Sequence, residues 1–514
     1  LEKYAPTYRH MVDPVTVDMK PAAQMAGLKV LGVTEAKYGS YLPKETNLRK
    51  SQFQLKNFPF PSTDSAPALL TTRGGVSPAE VAFAKIGRQY YFNTPRLPKT
   101  DLQGFLPKTF NKQNLRVLSM QEAIYGVPGY IPALDATTSS GYYYKKLGLD
   151  RKALFFDEHG FARIHPILKQ NVKNKIKRMM EGDMILPVYE DTLKDELRSA
   201  EKVATGESRL FTAGDLDFLI IQKMYLGTFI VECEGDPAGS PCALGLNPHS
   251  RQWGILYSRM KGSPSVRRRI CAGDFKGFDI SVKNEGRDAF ADLVEECIRG
   301  RPFPLGSFMR NLIYAVFLGW HVFGILWYLR PWGTNSGSFI TSIFNTFFNW
   351  FIHKHAFIAL YPGGDFQLIE SSFTGDDSLL SVPEEYDEYT MAYLSRFFRD
   401  TFAMGYTSCF KDDRTTLDLE DVMYLKRRFT TTDVGIMAPL DPASMYEMVA
   451  WVNKDPTRTV ACSTLDSLLQ EGFHYGRKVY GELREWVLDQ SWFGGGFNTP
   501  TYDDLAAARR ADYS

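Results

Sequence analysis

Cysteine is scarce and unpatterned in this chain of 514 residues: there are six, at 233, 242, 271, 297, 409 and 462, with no Cys-x-x-Cys pair and no His-Cys ligand spacing. That excludes a zinc ribbon and a disulfide-stapled scaffold, and reads as reduced, mostly core thiols of an intracellular protein. An excess of one charge is missing too. Lys+Arg of 60 against Asp+Glu of 59 leave a net charge of +1, so affinity for a polyanion must come from clustered charge rather than from the total. No apolar leader opens the sequence, because Lys3, Arg9 and Asp13 interrupt it. There is no internal repeat and no long low-complexity stretch.

What is there is a set of carboxylates in uncomfortable places. With 44% hydrophobic residues, a chain this long fills more than one core, so several subdomains are expected. Gly375-Asp376-Asp377 is the most informative point. Phe366 to Thr374 and Ser378 to Val382 are rich in β-branched, aromatic and other apolar residues, and Pro383 stops the second run, so the tripeptide is expected at a hairpin tip. A Gly-Asp turn alone is commonplace. Two adjacent carboxylates, however, repel unless cations lie between them, and a divalent metal site is the simplest resolution.

A second acidic motif, Asp274-Phe275-Lys276-Gly277-Phe278-Asp279, lies about a hundred residues upstream. Arg269 to Ala272 read as a short strand, and Phe290, Leu293, Val294, Cys297 and Ile298 recur at helical spacing, so both aspartates are expected on a strand-to-helix connection. An Asx-turn or helix cap would need one Asp at most. Between the acidic motifs, Asn335-Ser336-Gly337-Ser338 precedes a helix with an apolar stripe of Ile340, Ile343, Phe344, Phe347 and Phe351. Ser338, Thr341, Ser342, Asn345 and Asn349 fall on the opposite, polar side. An ordinary amphipathic helix explains the stripe, but not why Thr341 and Asn345 share a face beside a Ser-Gly loop.

These segments resemble the palm of viral RNA-dependent RNA polymerases. Asp274 and Asp279 look like motif A, Ser336-Gly337 with Thr341 and Asn345 like motif B, and Gly375-Asp376-Asp377 like motif C, in unpermuted order. Lys194, Arg198, Lys202 and Arg209 follow the spacing of motif F. Thr138-Ser139-Ser140-Gly141-Tyr142 is similar to motif G, and Tyr424-Leu425-Lys426-Arg427 to motif E. The resemblance implies a mixed α/β (α+β) right-hand fold, its palm an antiparallel sheet flanked by helices. Fingers would occupy 1–225, palm 226–300 and 332–430, a fingers insertion 301–331, and a thumb with a C-terminal tail 431–514. Met445, Val449, Trp451, Leu468, Leu469, Tyr480, Leu483 and Trp486 suggest that the thumb is mainly helical.

The chemistry implied by the resemblance is specific. Attack of a 3′-hydroxyl on the α-phosphate of an rNTP is accelerated by two divalent ions about 4 Å apart. Two Mg²⁺ or Mn²⁺ ions would be held by Asp274 and Asp376, with Asp377 nearby. Lys194, Arg198, Lys202 and Arg209 would bind the triphosphate. Asp279, Ser336 and Asn345, with Thr341 in support, would surround the ribose 2′-hydroxyl and favour ribonucleotides. Thr138, Ser139, Gly141, Lys426 and Arg427 would contact template or product RNA. Thr390, Met391, Leu394, Phe397, Phe398 and Phe402 form an amphipathic helix expected to end near Gly405. Lys411 comes next as a candidate general acid for departing pyrophosphate, or as a surface lysine.

Two basic clusters can line a template or nucleotide channel: Arg163, Lys169, Lys173, Lys175, Lys177 and Arg178, and the run Arg267, Arg268 and Arg269. The first reads equally well as an exposed fingers helix. The apolar run Leu312 to Leu329 is long enough to raise the question of a membrane span, but a span there would separate Asp274 from Ser336, so a buried segment is expected. Trp492-Phe493-Gly494-Gly495-Gly496-Phe497 suggests either an aromatic-bearing arm reaching back to the site or a disordered tail.

Within the family, Ser336-Gly337-Ser338 and the residues from Phe373 to Leu380 look most like picobirnavirus polymerases, with partitiviruses next, while the Lys194 and Thr138 segments look picornavirus-like. A picobirnavirus affiliation implies replication and transcription of a segmented double-stranded RNA genome without a protein primer. It would place the chain in the virion interior and host cytoplasm, with a viral capsid protein as partner. A reverse transcriptase would ordinarily carry a bulky steric gate near Asp279 and an aromatic-x-Asp-Asp motif. A non-catalytic RNA-binding or packaging protein has no need of three metal-site carboxylates.

Overall fold

The computed structural model describes residues 11–12, 20–40, 42–43, 45–88, 97–282, 284–330, 332–412, 417–453, 457–490 and 499–513. Both acidic motifs lie on one antiparallel four-stranded sheet, in the order Glu370–Thr374, Asp377–Pro383, Arg268–Lys276 and Gly405–Ser408. Side chains alternate between its faces, as the pleat requires. Cys271, Phe275, Phe373, Leu380 and Val382 face one apolar core, while Ile270, Ala272 and Leu379 face another built on Trp253, Leu256 and Met260.

Several expected boundaries move. The strand of the first acidic motif runs on to Lys276, so Asp274 stands within it and only Asp279 lies beyond it, in the short helix Phe278–Ser281. Before the hairpin, Phe366–Leu368 is a single 3₁₀ turn and the strand begins at Glu370. Pro383 is the last residue of the second strand, where its missing N–H interrupts least. The helix Met391–Phe402 is N-capped by Thr390 and ends at Ala403 in the left-handed conformation; Gly405 already belongs to the next strand.

The helix Thr341–Leu360 carries the middle of the molecule. Its apolar stripe is fully buried at Phe344, Phe347 and Phe348, but Thr341, Asn345, Thr346, Asn349 and His353 are buried as well. Over these turns only Ser342 is exposed, and the rest of the polar side closes on the hairpin tip and on Asp279. Removing one such phenyl ring costs about 3–5 kcal/mol, a large share of the roughly 5–15 kcal/mol that holds a typical domain.

A second, five-stranded sheet has the order Lys29–Val33, Leu326–Leu329, Trp320–Phe323, Val188–Leu193 and Leu210–Ala213. The apolar run over 312–329 is divided between the end of the helix Ser307–Tyr314 and the hairpin of Trp320–Phe323 with Leu326–Leu329. Among the described residues no helix is long and apolar enough to cross a membrane. The six cysteines are free thiols, four of them buried.

The C-terminal third gathers helices Pro442–Ala450, Arg458–Phe473 and Arg477–Leu488 around a separate core. Trp451 belongs instead to the short strand Trp451–Asn453, which pairs with Leu48–Lys50. Phe53 and Phe60 enter this core, and the Trp486 indole donates to the Gln54 carbonyl at 3.1 Å, so the N-terminal segment is fastened to it. The aromatic-glycine stretch 492–497 lies outside the described residues. The C-terminal residues beyond it are no loose tail: Tyr502–Tyr513 is a helix whose Tyr502 and Ala506 are buried and whose Arg509 donates to the His249 and Ile436 carbonyls.

Ending the chain at Pro500 should therefore lower the melting temperature by at least about 3 °C in differential scanning fluorimetry. Unchanged melting would contradict the structural role of that helix.

Candidate active site

The pairing of Thr374 with Asp377 leaves Gly375-Asp376 as a two-residue turn. Gly375 has φ of 61° and Asp376 a negative φ, the pattern of a type II′ turn, which favours glycine at its first central position. The long helix clasps this turn. The Gly375 N–H donates to Thr346 Oγ1 at 2.9 Å, and Asn349 Nδ2 donates to the carbonyls of Gly375 at 3.0 Å and Asp377 at 3.3 Å. From the other side the buried Tyr424 hydroxyl bonds Ser372 Oγ at 3.0 Å and Thr374 Oγ1 at 3.2 Å.

Sheet register brings the acidic motifs together. Ser378 pairs with Gly273, so the next ladder step sets Asp377 level with Asp274. Asp376 opens to the cleft at the turn tip but is walled by protein; that low-dielectric surround, and then the Asp274 carboxylate, push its pKa up to about 6. Burial, then Asp376, then Asp274 push Asp377 up to about 7, with Lys426 opposing the rise. Lys411 Nζ lies 3.9 Å from Asp274 Oδ2. Its backbone is left-handed, at φ 61°, in a turn that delivers an exposed lysine to the carboxylates.

The expected ribose group forms in part. Asn345 Nδ2 donates to Asp279 Oδ1 at 2.7 Å. Ser336 is held elsewhere, its Oγ accepting from the Thr212 N–H at 3.0 Å, and Thr341 Oγ1 donates to the Asn335 carbonyl at 2.6 Å. Gly337 permits this arrangement, since a Cβ there would lie 2.0 Å from the Thr212 carbonyl oxygen.

Three of the four motif F cations gather on Glu196. Arg209 Nε donates to Glu196 Oε1 at 2.6 Å, while Lys194 lies 3.4 Å and Arg198 3.9 Å from the same carboxylate. Hydrogen bonding to Glu196 comes first in raising the Arg209 pKa, and the fields of Asp279 and Asp376 add to it. Burial of Lys202 and then the charges of Arg198 and Lys411 lower its pKa. Arg209 thus lies within reach of the fields of Asp376 and Asp279, and Lys202 within reach of Lys411.

Other expected contacts turn inward. Thr138 Oγ1 donates to the Asp135 carbonyl and the Ser139 carbonyl accepts from Arg151, but the pair stays at or near the surface. Gly141 is buried against Gly214, so it supports the loop without meeting RNA. Arg427 corrects the expectation most clearly: it is 9% exposed and donates to Glu471 through both terminal nitrogens, at 2.6 and 2.7 Å. It ties the sheet-side hairpin to the helical C-terminal core, and has no free face for RNA. Lys426, beside it, is exposed. Lys175 is likewise spent on Asp217 at 2.7 Å, while Lys169, Lys173, Lys177 and Arg178 remain exposed on the helix Pro166–Met180. Arg268 and Arg269 begin the strand that carries Asp274, and Arg267 immediately precedes it. At strand rise the run lies roughly 20 Å from that aspartate, and so does not line the acidic cleft.

Sequence reading missed Thr346, Thr212 and Tyr424 as supports. Thr346 neighbours Asn345 on the legible helix, but Thr212 and the inward turn of Tyr424 depend on non-local pairing and carry no local signal.

The model of the viral RNA-dependent RNA polymerase family matches residues 89–487. The chain belongs to that family. It is 29% identical over 396 residues to the genome polyprotein of human rhinovirus 3, covering 76% of this chain and 16% of the polyprotein. The replicase polyprotein of Drosophila C virus (strain EB) is 26% identical over 424 residues, 74% of this chain and 23% of that one. The RNA1 polyprotein of tomato torrado virus is 24% identical over 501 residues, 88% and 23% respectively. The chain thus spans about a sixth to a quarter of the length of these curated relatives. In three dimensions it resembles the Sicinivirus 3Dpol RNA dependent RNA polymerase, with a TM-score of 0.75 and 22% identity over 94% of this chain and 99% of the other. The fold is that of a right-hand polymerase. These polymerase relatives are picornavirus-like, so the ranking of picobirnaviruses first finds no support in them.

The acidic cleft fits a hard divalent cation. Its donors are carboxylate oxygens, and burial first and then neighbouring carboxylates raise the pKa of Asp376 and Asp377, which suits Mg²⁺ or Mn²⁺. Among the described residues no group of three or more His, Cys, Asp or Glu side chains forms a ready-made metal cage.

Raised carboxylate pKa values mean that the metal-free fold binds more protons than the unfolded chain. The stability they lend is fully present below the ordinary value of 3.8 and is lost as pH rises through about 6 and about 7. Without divalent ions, Asp377→Asn should melt progressively higher than the wild type as pH rises from about 5 to about 8. Millimolar Mg²⁺ should close that gap. A gap independent of pH would contradict the crowding.

Proposed function

We propose that this chain catalyses template-directed RNA synthesis from ribonucleoside triphosphates. The observation that carries the reading is the cross-strand placement of Asp274 level with Asp377 and beside Asp376, opposite the cations of motif F. Divalent ions bound there would activate the 3′-hydroxyl and offset charge on the departing pyrophosphate. The chain's own residues do the rest. Asp274 and Asp376 hold the ions, with Asp377 adding negative charge behind them. Lys194, Arg198, Lys202 and Arg209 orient the triphosphate, and Glu196 keeps Arg209 in place until phosphate competes for it. Asp279 and Asn345 meet the ribose 2′-hydroxyl, with Ser336 and Thr341 shaping the loop beside them. Lys411, near Asp274, is the proton donor to pyrophosphate. Exposed Lys426, Thr138 and Ser139 border the RNA path.

Fingers, palm and thumb follow the divisions at about 225, 300, 331 and 430 given by the motif order, a reading supported by the two separate sheets and the distinct C-terminal core. Initiation without a primer belongs to the same proposal. The genome copied is that of an RNA virus; its strandedness and segmentation rest on the Ser336-Gly337-Ser338 and Phe373-to-Leu380 phrases, against which the picornavirus-like relatives weigh.

The test is labelled-rNTP incorporation on a primer-free single-stranded RNA with Mg²⁺, beside a dNTP lane, a primed template and the variants Asp376→Asn and Lys411→Met. Product that needs ribonucleotides and vanishes in Asp376→Asn is expected, with Lys411→Met slowing kcat by roughly a hundredfold. Extension only from an annealed primer would remove the initiation claim. Equal use of dNTPs would favour a reverse transcriptase, and RNA binding without turnover a packaging protein.

A further inference from the structure

The loop before Ser336 is held from behind by a residue that has no part in the chemistry above. Arg330 comes directly after the strand Leu326–Leu329 of the five-stranded sheet and is only 3% exposed. One of its terminal nitrogens donates to the Thr334 carbonyl at 2.8 Å and to Asn335 Oδ1 at 2.7 Å, while its Nε is buried and unpartnered among the described residues. A guanidinium this deep is tolerated only where acceptors answer its charge. Here the described acceptors all belong to one dipeptide, Thr334-Asn335.

That dipeptide is connected to the ribose group at three points and to the Val316 carbonyl at a fourth. The Thr334 N–H donates to the Asp279 carbonyl at 2.7 Å, and Thr334 Oγ1 approaches Asp279 Oδ1 at 3.3 Å. The Asn335 N–H donates to the Val316 carbonyl at 2.8 Å, and the Asn335 carbonyl accepts from Thr341 at 2.6 Å. Asp279 Oδ1 is the same oxygen that receives Asn345 Nδ2. One residue further on, Ser336 is held by Thr212 of the same sheet. The carboxylate assigned to the 2′-hydroxyl is therefore aimed through Thr334, and Thr334 is aimed through Arg330.

We propose that Arg330 is a positioning residue for ribose selection, setting Asp279 through Thr334 and Thr341 through Asn335 without touching the nucleotide itself. The inference rests on the reading of Asp279 as the partner of the 2′-hydroxyl.

The experiment measures kcat/KM for a matched rNTP and its 2′-deoxy analogue on a primed RNA template with Mg²⁺, in wild type, Arg330→Met, Arg330→Lys and Thr334→Val, with a melting curve for each. Losing a hydrogen-bonded support of this kind should lower the rNTP-to-dNTP ratio roughly tenfold in Arg330→Met. The loss should fall on the rNTP, and Arg330→Lys should restore part of the ratio. Thr334→Val, which keeps its backbone bonds, should shift the ratio in the same direction by less, and it decides the matter if Arg330→Met does not fold. Variants that melt like the wild type and keep its ratio would overturn the inference alone, as would equal losses for both nucleotides. A wild type that incorporates neither nucleotide would remove the functional reading and the inference with it.

Discussion

The repulsion among Asp274, Asp376 and Asp377 is the constraint around which this molecule is arranged. Carboxylates held close in a partly buried cleft would relieve their repulsion by moving apart or by taking up protons. The fold blocks the first route. Sheet register fixes Asp274 against Asp377, and the hairpin tip is clasped by Thr346 and Asn349 from a helix that is itself buried on nearly every side. Burial first and then the neighbouring carboxylates push Asp376 up to about 6 and Asp377 up to about 7, a strain the fold imposes on the cleft. A site under that strain is preorganised for divalent ions, because binding removes a cost the fold already bears.

The rest of the architecture supplies rigidity around that point. Tyr424 anchors its own hairpin to the strand before the acidic turn. Arg427, two residues beyond Leu425, crosses to Glu471, whose carboxyl is held down at about 2 by hydrogen bonds from His249 and Arg427 despite its burial. Leu425 and Lys426 between them adopt left-handed backbone without being glycine, strain of a kind that persists only where surroundings over-determine it. Lys426 is exposed and its charge reaches Asp377, while Arg427 beside it is buried on Glu471. On the other flank, the five-stranded sheet leads directly to Lys194, Arg209 and the loop before Ser336, so under the proposal phosphate and ribose recognition share one support.

Much of this was legible because catalytic chemistry leaves local marks. The Gly-Asp-Asp turn, the Asp274 to Asp279 spacing and the Thr341 to Asn349 face could each be read from residues within one turn or hairpin, and their order along the chain pointed to the family. What escaped notice was non-local. Ser336 seemed a ribose ligand until sheet pairing brought Thr212 to it, and Arg427 seemed free for RNA until Glu471, 44 residues away, appeared opposite. The apolar run 312–329 was expected as a buried segment rather than a span, but its division into helix, connection and hairpin was not legible from hydropathy. The polar composition of 502–513 likewise concealed a helix that buries Tyr502 and Ala506.

The central claim is that Asp274 on its strand and Asp376 at the hairpin tip form a divalent-metal site that operates on a bound nucleotide. It is tested most directly by anomalous diffraction from crystals of the chain with Mn²⁺ and a non-hydrolysable ribonucleoside triphosphate. Anomalous peaks between Asp274 and Asp376, with the triphosphate running toward Arg209 and Lys202, are the predicted result. A nucleotide bound elsewhere, or manganese absent from the space between those two carboxylates, would contradict the account.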